Sequence, residues 1–121
     1  MREPHGVGSP SPHERRYRRF RLRYPVHLLF RSGELISEVG AISRDVSIGG
    51  LLVESPVQIP TRTAVNFIIS LRARTLRAVE LVGEGRVVRV VDSGAQKEFA
   101  VALEYKRPIT QIDPYLPADL K

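Results

Sequence analysis

Apolar and polar residues alternate with a period of two along most of this chain, the pattern of strands that bury one face. Leu22, Tyr24, Val26, Leu28 and Phe30 share one face of a first strand, against Arg23, Pro25, His27, Leu29 and Arg31 on the other. Pro25 has no N–H for a neighbouring strand, which suits an edge or the first part of a strand. Arg31-Ser32-Gly33-Glu34 is a hairpin signal. A longer second strand of weaker alternation runs from Leu35 to Val46, and Gly40 in its middle predicts a bulge or bend. Ser47-Ile48-Gly49-Gly50 makes the next turn, followed by a short strand over residues 51–54. After a loop over residues 56–63, Val65, Phe67, Ile69 and Leu71 form a fourth strand. Residues 79–91 form a fifth, with Gly83 and Gly85 as expected bend points, and Asp92-Ser93-Gly94 turns the chain again. Phe99, Val101, Leu103 and Tyr105 then fall on one face of a last strand. Six short strands with almost no helical periodicity predict an all-β fold, an antiparallel barrel or sandwich. Closure into a six-stranded barrel would remove exposed strand edges.

The ends differ from this middle. Residues 1–12 are rich in Pro, Gly and Ser and read as a disordered tail. Residues 13–107 form the expected barrel domain, with a flexible basic arm over residues 13–23. Residues 108–121 hold three prolines, leaving room for one or two helical turns in a short C-terminal tail. Ile109, Ile112, Tyr115 and Leu116 in that tail are placed to cap one mouth of a barrel. At 121 residues, 42% of them hydrophobic and 26% charged, the chain has the size and composition of one soluble domain. No apolar stretch reaches the roughly 18–20 residues of a membrane span, and the N-terminus has no apolar signal region. Cysteine is absent, which excludes disulfides and thiolate chemistry. The expected location is the cytoplasm.

Charge changes the picture more than composition does. Arg15, Arg16, Arg18, Arg19, Arg21 and Arg23 put six positive charges into nine residues, in a chain whose net charge is +6. Everything outside residues 15–23 therefore sums to zero. This is a neutral domain carrying one cationic segment, unlike the broad basic face of a duplex-binding protein. Arginine dominates the basic residues, and its planar fork suits phosphates and guanine edges.

Catalytic patterns are missing. His5, His13 and His27 have no metal-ligand spacing, and His27 reads as a surface or rim residue. There is no nucleophile elbow, no phosphate-binding Gly-rich loop and no paired carboxylates, so an enzyme is not expected. Two short segments remain. One contains Arg-x-x-x-Arg as Arg15 and Arg19; the other contains Asp-x-Ser-x-x-Gly as Asp45, Ser47 and Gly50. One antiparallel hairpin separates them and returns the chain to its start, so both fall at the same end of the barrel. Arginines there can grip phosphates or guanine O6 and N7. Asp45 supplies the acceptor that guanine N1–H and amino donors need. Ser47 can donate or accept, and Gly50 removes a Cβ from the path of a ligand. Taken alone, Asp45-x-Ser47 reads rather as an Asx or Ser turn that ends a strand and stabilises a hairpin, and only its pairing with the first motif favours a site.

The ordered pair of motifs resembles the PilZ domain, the bacterial family of cyclic di-GMP receptors. The similarity extends to Glu14-Arg15-Arg16, to Gly50-Leu51-Leu52-Val53 and to Gly85-Arg86-Val87-Val88, and covers about residues 13–105. The resemblance implies a six-stranded antiparallel barrel that binds one or two cyclic di-GMP molecules without catalysis. Arg15, Arg16 and Arg19 would clasp the ligand, and Asp45, Ser47 and Gly50 would contact guanine from the barrel surface. The Pro-broken tail departs from relatives with a longer terminal helix. No other cofactor, metal or membrane contact is expected. A ligand-ordered arm would signal to an unidentified downstream protein. The competing readings are a barrel binding single-stranded nucleic acid, with Tyr17 and Phe20 as the stacking aromatics near the charge, and a protein scaffold that keeps the fold.

Overall fold

The computed structural model describes residues 18–72, 78–92 and 98–110. Six strands, β1 (Pro25–Ser32), β2 (Leu35–Val46), β3 (Gly50–Ser55), β4 (Ala64–Arg72), β5 (Ala78–Asp92) and β6 (Phe99–Tyr105), close into a barrel. Their order around it is β1-β2-β3-β6-β5-β4, and every neighbouring pair is antiparallel. Six strands and a closed antiparallel barrel are what the alternation predicts. Pro25 opens β1, where a missing N–H costs no ladder bond. Gly33, at φ 67°, takes the left-handed conformation that the β1–β2 turn requires.

The inward faces form one core. Leu28, Val53, Phe67, Ile69, Leu71, Val101 and Leu103 are fully excluded from solvent. Each such side chain stabilises the fold by about 1.5–3 kcal/mol. Ile59, from the loop between β3 and β4, and Ile109, beyond β6, pack against the same cluster. Ile109 thus contributes to the cover expected of the tail, while Ile112, Tyr115 and Leu116 lie outside the described residues, as do the predicted helical turns. His27 is exposed, with Nε2 3.4 Å from Glu38 Oε2.

Three local expectations are corrected. Gly40 pairs in regular register with His27, and the irregularity of β2 lies instead between Ser43 and Asp45. At Gly83 and Gly85 the β4–β5 register runs unbroken, so neither is a bulge. Gly83 is small because a Cβ there would come within 2.5 Å of the Phe67 ring. The break in β5 comes later, between Val87 and Arg89. Finally, the basic arm is not loose throughout. Phe20 and Val46 exchange two backbone hydrogen bonds, of 2.9 and 2.8 Å, and Ser43 N–H donates to the Tyr24 carbonyl at 2.9 Å. Residues 20–24 are thereby laid along the end of β2. Phe20 is buried, Leu22 and Tyr24 are half-buried against the core, and Arg19, Arg21 and Arg23 face outward.

Candidate ligand site

Both bulges serve the same end. On β2, Val39, Ala41 and Ser43 face inward, and strict alternation would carry Asp45 into the core. Burying an unpaired carboxylate costs several kcal/mol. The irregularity at Arg44 avoids this: Val46 becomes the next inward residue, and Asp45 faces out opposite Leu52. On β5, the same device acts at Val88. Val87 faces the core, Val90 packs against it, and Arg89 stands outside opposite Ala102. Leu52 in turn pairs with Ala102. Asp45, Leu52, Ala102 and Arg89 therefore form one row across β2, β3, β6 and β5, an acid and a base separated by a low apolar floor.

Arg19, one residue before the Phe20–Val46 bridge, lines the same crevice, together with Ser47 and Gly50. The structure thus brings together Arg19, Asp45, Ser47 and Gly50 from the two predicted motifs. Arg15 and Arg16 lie outside the described residues. The crevice encloses only about 10 Å3, roughly the space of one water, so a nucleotide would lie across this row of side chains.

The turn itself is tightly built. Ser47 is 1% exposed. Its hydroxyl donates to the Gly50 carbonyl at 3.3 Å and accepts from the amides of Gly49 at 3.1 Å and Gly50 at 3.0 Å. The Ser47 amide closes the turn on the Gly50 carbonyl at 3.0 Å. Gly50 packs against β6, where a Cβ would come within 2.6 Å of the Leu103 carbonyl oxygen. From the other side, Tyr105 N–H donates to the Gly49 carbonyl at 3.0 Å and Ile109 N–H to the Ile48 carbonyl at 2.9 Å. Ser47 and Gly50 thus shape the turn, and Asp45 is the residue of this motif that faces outward.

Two residues absent from the sequence-derived set belong to this neighbourhood. Arg89 carries its own signal: an arginine on the inward parity after Val87 requires a break in the strand. Glu54 gathers two arginines, Arg23 at 3.3 Å and Arg44 at 3.5 Å, on the outer face of β3. These pairs are largely exposed and contribute about 0–1 kcal/mol each, but they fix the charge layout beside Asp45. Arg18 lies 5.9 Å from the centroid of the Phe20 ring. Among the described residues no cluster of His, Asp or Glu is arranged to hold a metal ion. No helix among them is long and apolar enough to cross a membrane. A larger groove of about 570 Å3 lies over β1, β4, β5 and β6. Its Arg31, Arg86 and Lys106 alternate with Glu84 and Glu104, and Lys106 pairs with Glu84 at 3.4 Å. Such a lining has little net attraction for an anion.

A closed barrel that presents an outward arginine pair beside a single carboxylate has chemistry suited to an anion bearing hydrogen-bond donors. A family model described as the PilZ domain matches residues 13–114, and the chain belongs to the PilZ domain family. The family consists generally of non-catalytic domains that act as cyclic di-GMP receptors or effectors. Among solved structures, the chain is similar to the Bacillus subtilis inhibitor of motility (MotI/DgrA), with a TM-score of 0.63 at 20% identity. That match covers 81% of this chain and 45% of the other, so the chain spans less than half the length of that protein. It is also similar to the PilZ domain of CeSA from a cellulose-synthesizing bacterium, with a TM-score of 0.51 at 21% identity, covering 78% of this chain and 85% of that one. At these identities the two structures speak to the fold. No curated protein matches the chain.

Proposed function

We propose that the protein is a cyclic di-GMP receptor whose ligand lies across the row from Asp45 to Arg89, held by Arg15, Arg16 and Arg19. The observation that carries this reading is the outward placement of Asp45 between Arg19 and Arg89. A site for phosphate alone gains nothing from a carboxylate, which repels it, whereas guanine offers N1–H and amino donors that only an acceptor can satisfy. Arg19 and Arg89 are then available to phosphate oxygens or to guanine O6 and N7. Leu52 and Ala102 provide a flat apolar floor on which a purine ring can rest. Ser47 and Gly50 serve by holding the turn in shape.

Residues 20–24 are already bonded to β2, so ligand-driven ordering is assigned to the arginines before Phe20. The complex then presents a new surface to a downstream protein. The ligand is a bacterial messenger made inside the cell, so a cytoplasmic receptor follows from this reading. The nucleic-acid alternative loses one of its two stacking aromatics, because Phe20 is 7% exposed.

Isothermal titration with cyclic di-GMP tests the proposal on the parent protein and on Arg19→Ala, Asp45→Ala and Arg89→Ala. A hydrogen bond to a charged group is worth about 1.5–3 kcal/mol, so each variant should bind at least about tenfold more weakly. A parent that does not bind, or that binds GMP equally well, ends the proposal. Undiminished binding by Arg89→Ala alone removes that residue from the site and leaves the rest.

A further inference from the structure

Ser43 lies outside both motifs, yet its side chain does the most to join them. It is fully buried, at 0% exposure, at the point where β2 breaks register. Its Oγ accepts a hydrogen bond from Tyr24 N–H at 2.8 Å and donates one to the Leu22 carbonyl. Its own amide donates to the Tyr24 carbonyl at 2.9 Å. One residue thus satisfies three backbone groups of the segment that carries the arginines. Normal ladder bonds could not do this here. Between the Tyr24–Ser43 and Phe20–Val46 contacts the arm has three residues and β2 two, so regular pairing is interrupted and the hydroxyl fills the gap.

We infer that Ser43 is a positioning residue for ligand binding: its hydroxyl locks the base of the arginine arm onto the end of β2, so that Arg19 lines the crevice beside Asp45. Without it, the part-buried Tyr24 amide and Leu22 carbonyl lose this partner, and the segment keeps the Phe20–Val46 bonds, the Tyr24 carbonyl bond and the exposed Arg23–Glu54 pair. The segment can then shift along β2, and a one-residue slip would turn Arg19 toward the core side. This inference rests on the cyclic di-GMP reading for its functional half, and on the backbone geometry alone for its structural half.

The test compares the parent, Ser43→Ala and Ile69→Val, the last a core truncation on β4 that lowers stability without touching the arm. Amide hydrogen exchange is read first, without ligand. In Ser43→Ala the Tyr24 amide should exchange at least about tenfold faster than in the parent, and in Ile69→Val it should not. Equal rates in Ser43→Ala and the parent overturn the inference, whatever the ligand proves to be. Titration with cyclic di-GMP follows. Ser43→Ala should bind at least about fivefold more weakly, Ile69→Val as the parent does. In a background with Arg15, Arg16 and Arg19 all replaced by alanine, Ser43→Ala should cost less than about twofold, because the residues it positions are gone. A full, additive loss in that background assigns Ser43 a general structural role and overturns the positioning role. If the parent does not bind cyclic di-GMP, the functional proposal fails, and the exchange data still decide whether Ser43 locks the arm.

Discussion

Single residues in this barrel divide between those that shape the proposed site and those that would face a ligand there. Ser47 and Gly50 shape it, since the hydroxyl is spent on the turn and the missing Cβ on contact with β6. Asp45, Arg19 and Arg89 face outward. Tyr105 belongs to neither group. Its ring packs against Phe67 at a centroid distance of 5.2 Å, and its hydroxyl is buried without a hydrogen-bond partner among the described residues. Burial pushes the phenol well above its ordinary value, so in the fold it stays neutral where an exposed tyrosine ionises. The sign follows directly. The unfolded chain loses this proton at about pH 10 and the folded chain does not. The stability tied to Tyr105 is complete below that pH and is lost as pH rises above it, at up to about 1.4 kcal/mol per pH unit. Tyr105→Phe should lack this alkaline loss. At pH 7 it should be neutral or stabilising by about 1 kcal/mol, because an unpaired buried hydroxyl is removed. Urea unfolding of both proteins from pH 7 to 11 measures it, and parallel curves would show that the phenol titrates in the fold as it does in the unfolded chain.

At the scale of strands, the six elements were legible because their core faces alternate cleanly. The two bulges were not read, although both left a trace: Asp45 and Arg89 each fall on an inward parity that a charged side chain cannot occupy. Gly40, Gly83 and Gly85 drew attention to the wrong positions, since two of them are small for packing and local composition does not reveal what crosses a strand. The Arg–Asp pairing of the two motifs was legible through the hairpin that joins them. Ser43 was not, because a serine within a strand gives no sign that it will bond a segment some twenty residues earlier. The contact between β3 and β6 makes a testable case of the same kind. Gly50→Ala would drive a methyl into the Leu103 carbonyl at 2.6 Å, and backbone in a closed barrel cannot retreat. The expected loss is about 1–3 kcal/mol, read as a lower urea midpoint. Loss of ligand binding should follow from displacement of the turn. A variant of unchanged stability that still fails to bind would instead give Gly50 a direct contact with ligand.

The whole molecule has a simple charge layout: six arginines within residues 15–23 and zero net charge elsewhere, for a total of +6. On the barrel, Arg44 pairs with Glu54 and Lys106 with Glu84, and these charges cancel at a distance. The field that a dianionic ligand meets first is therefore that of the arm. Such attraction is screened beyond about 10 Å at 0.1 M salt and beyond about 3 Å at 1 M. Association should slow several-fold between those conditions, while dissociation, governed by close contacts at Asp45 and Arg89, should change less. Replacing the exposed Arg18 and Arg21 with glutamine should flatten the salt dependence of the association rate. It should leave the urea midpoint nearly unchanged, because surface substitutions away from packed features stay within about 0.5 kcal/mol. Stopped-flow binding at several salt concentrations separates the two contributions. An association rate that ignores salt would mean that the arm acts only after contact, as a clasp. A rate that falls with salt in the parent and not in the substituted arm would make the same arginines the means of capture as well.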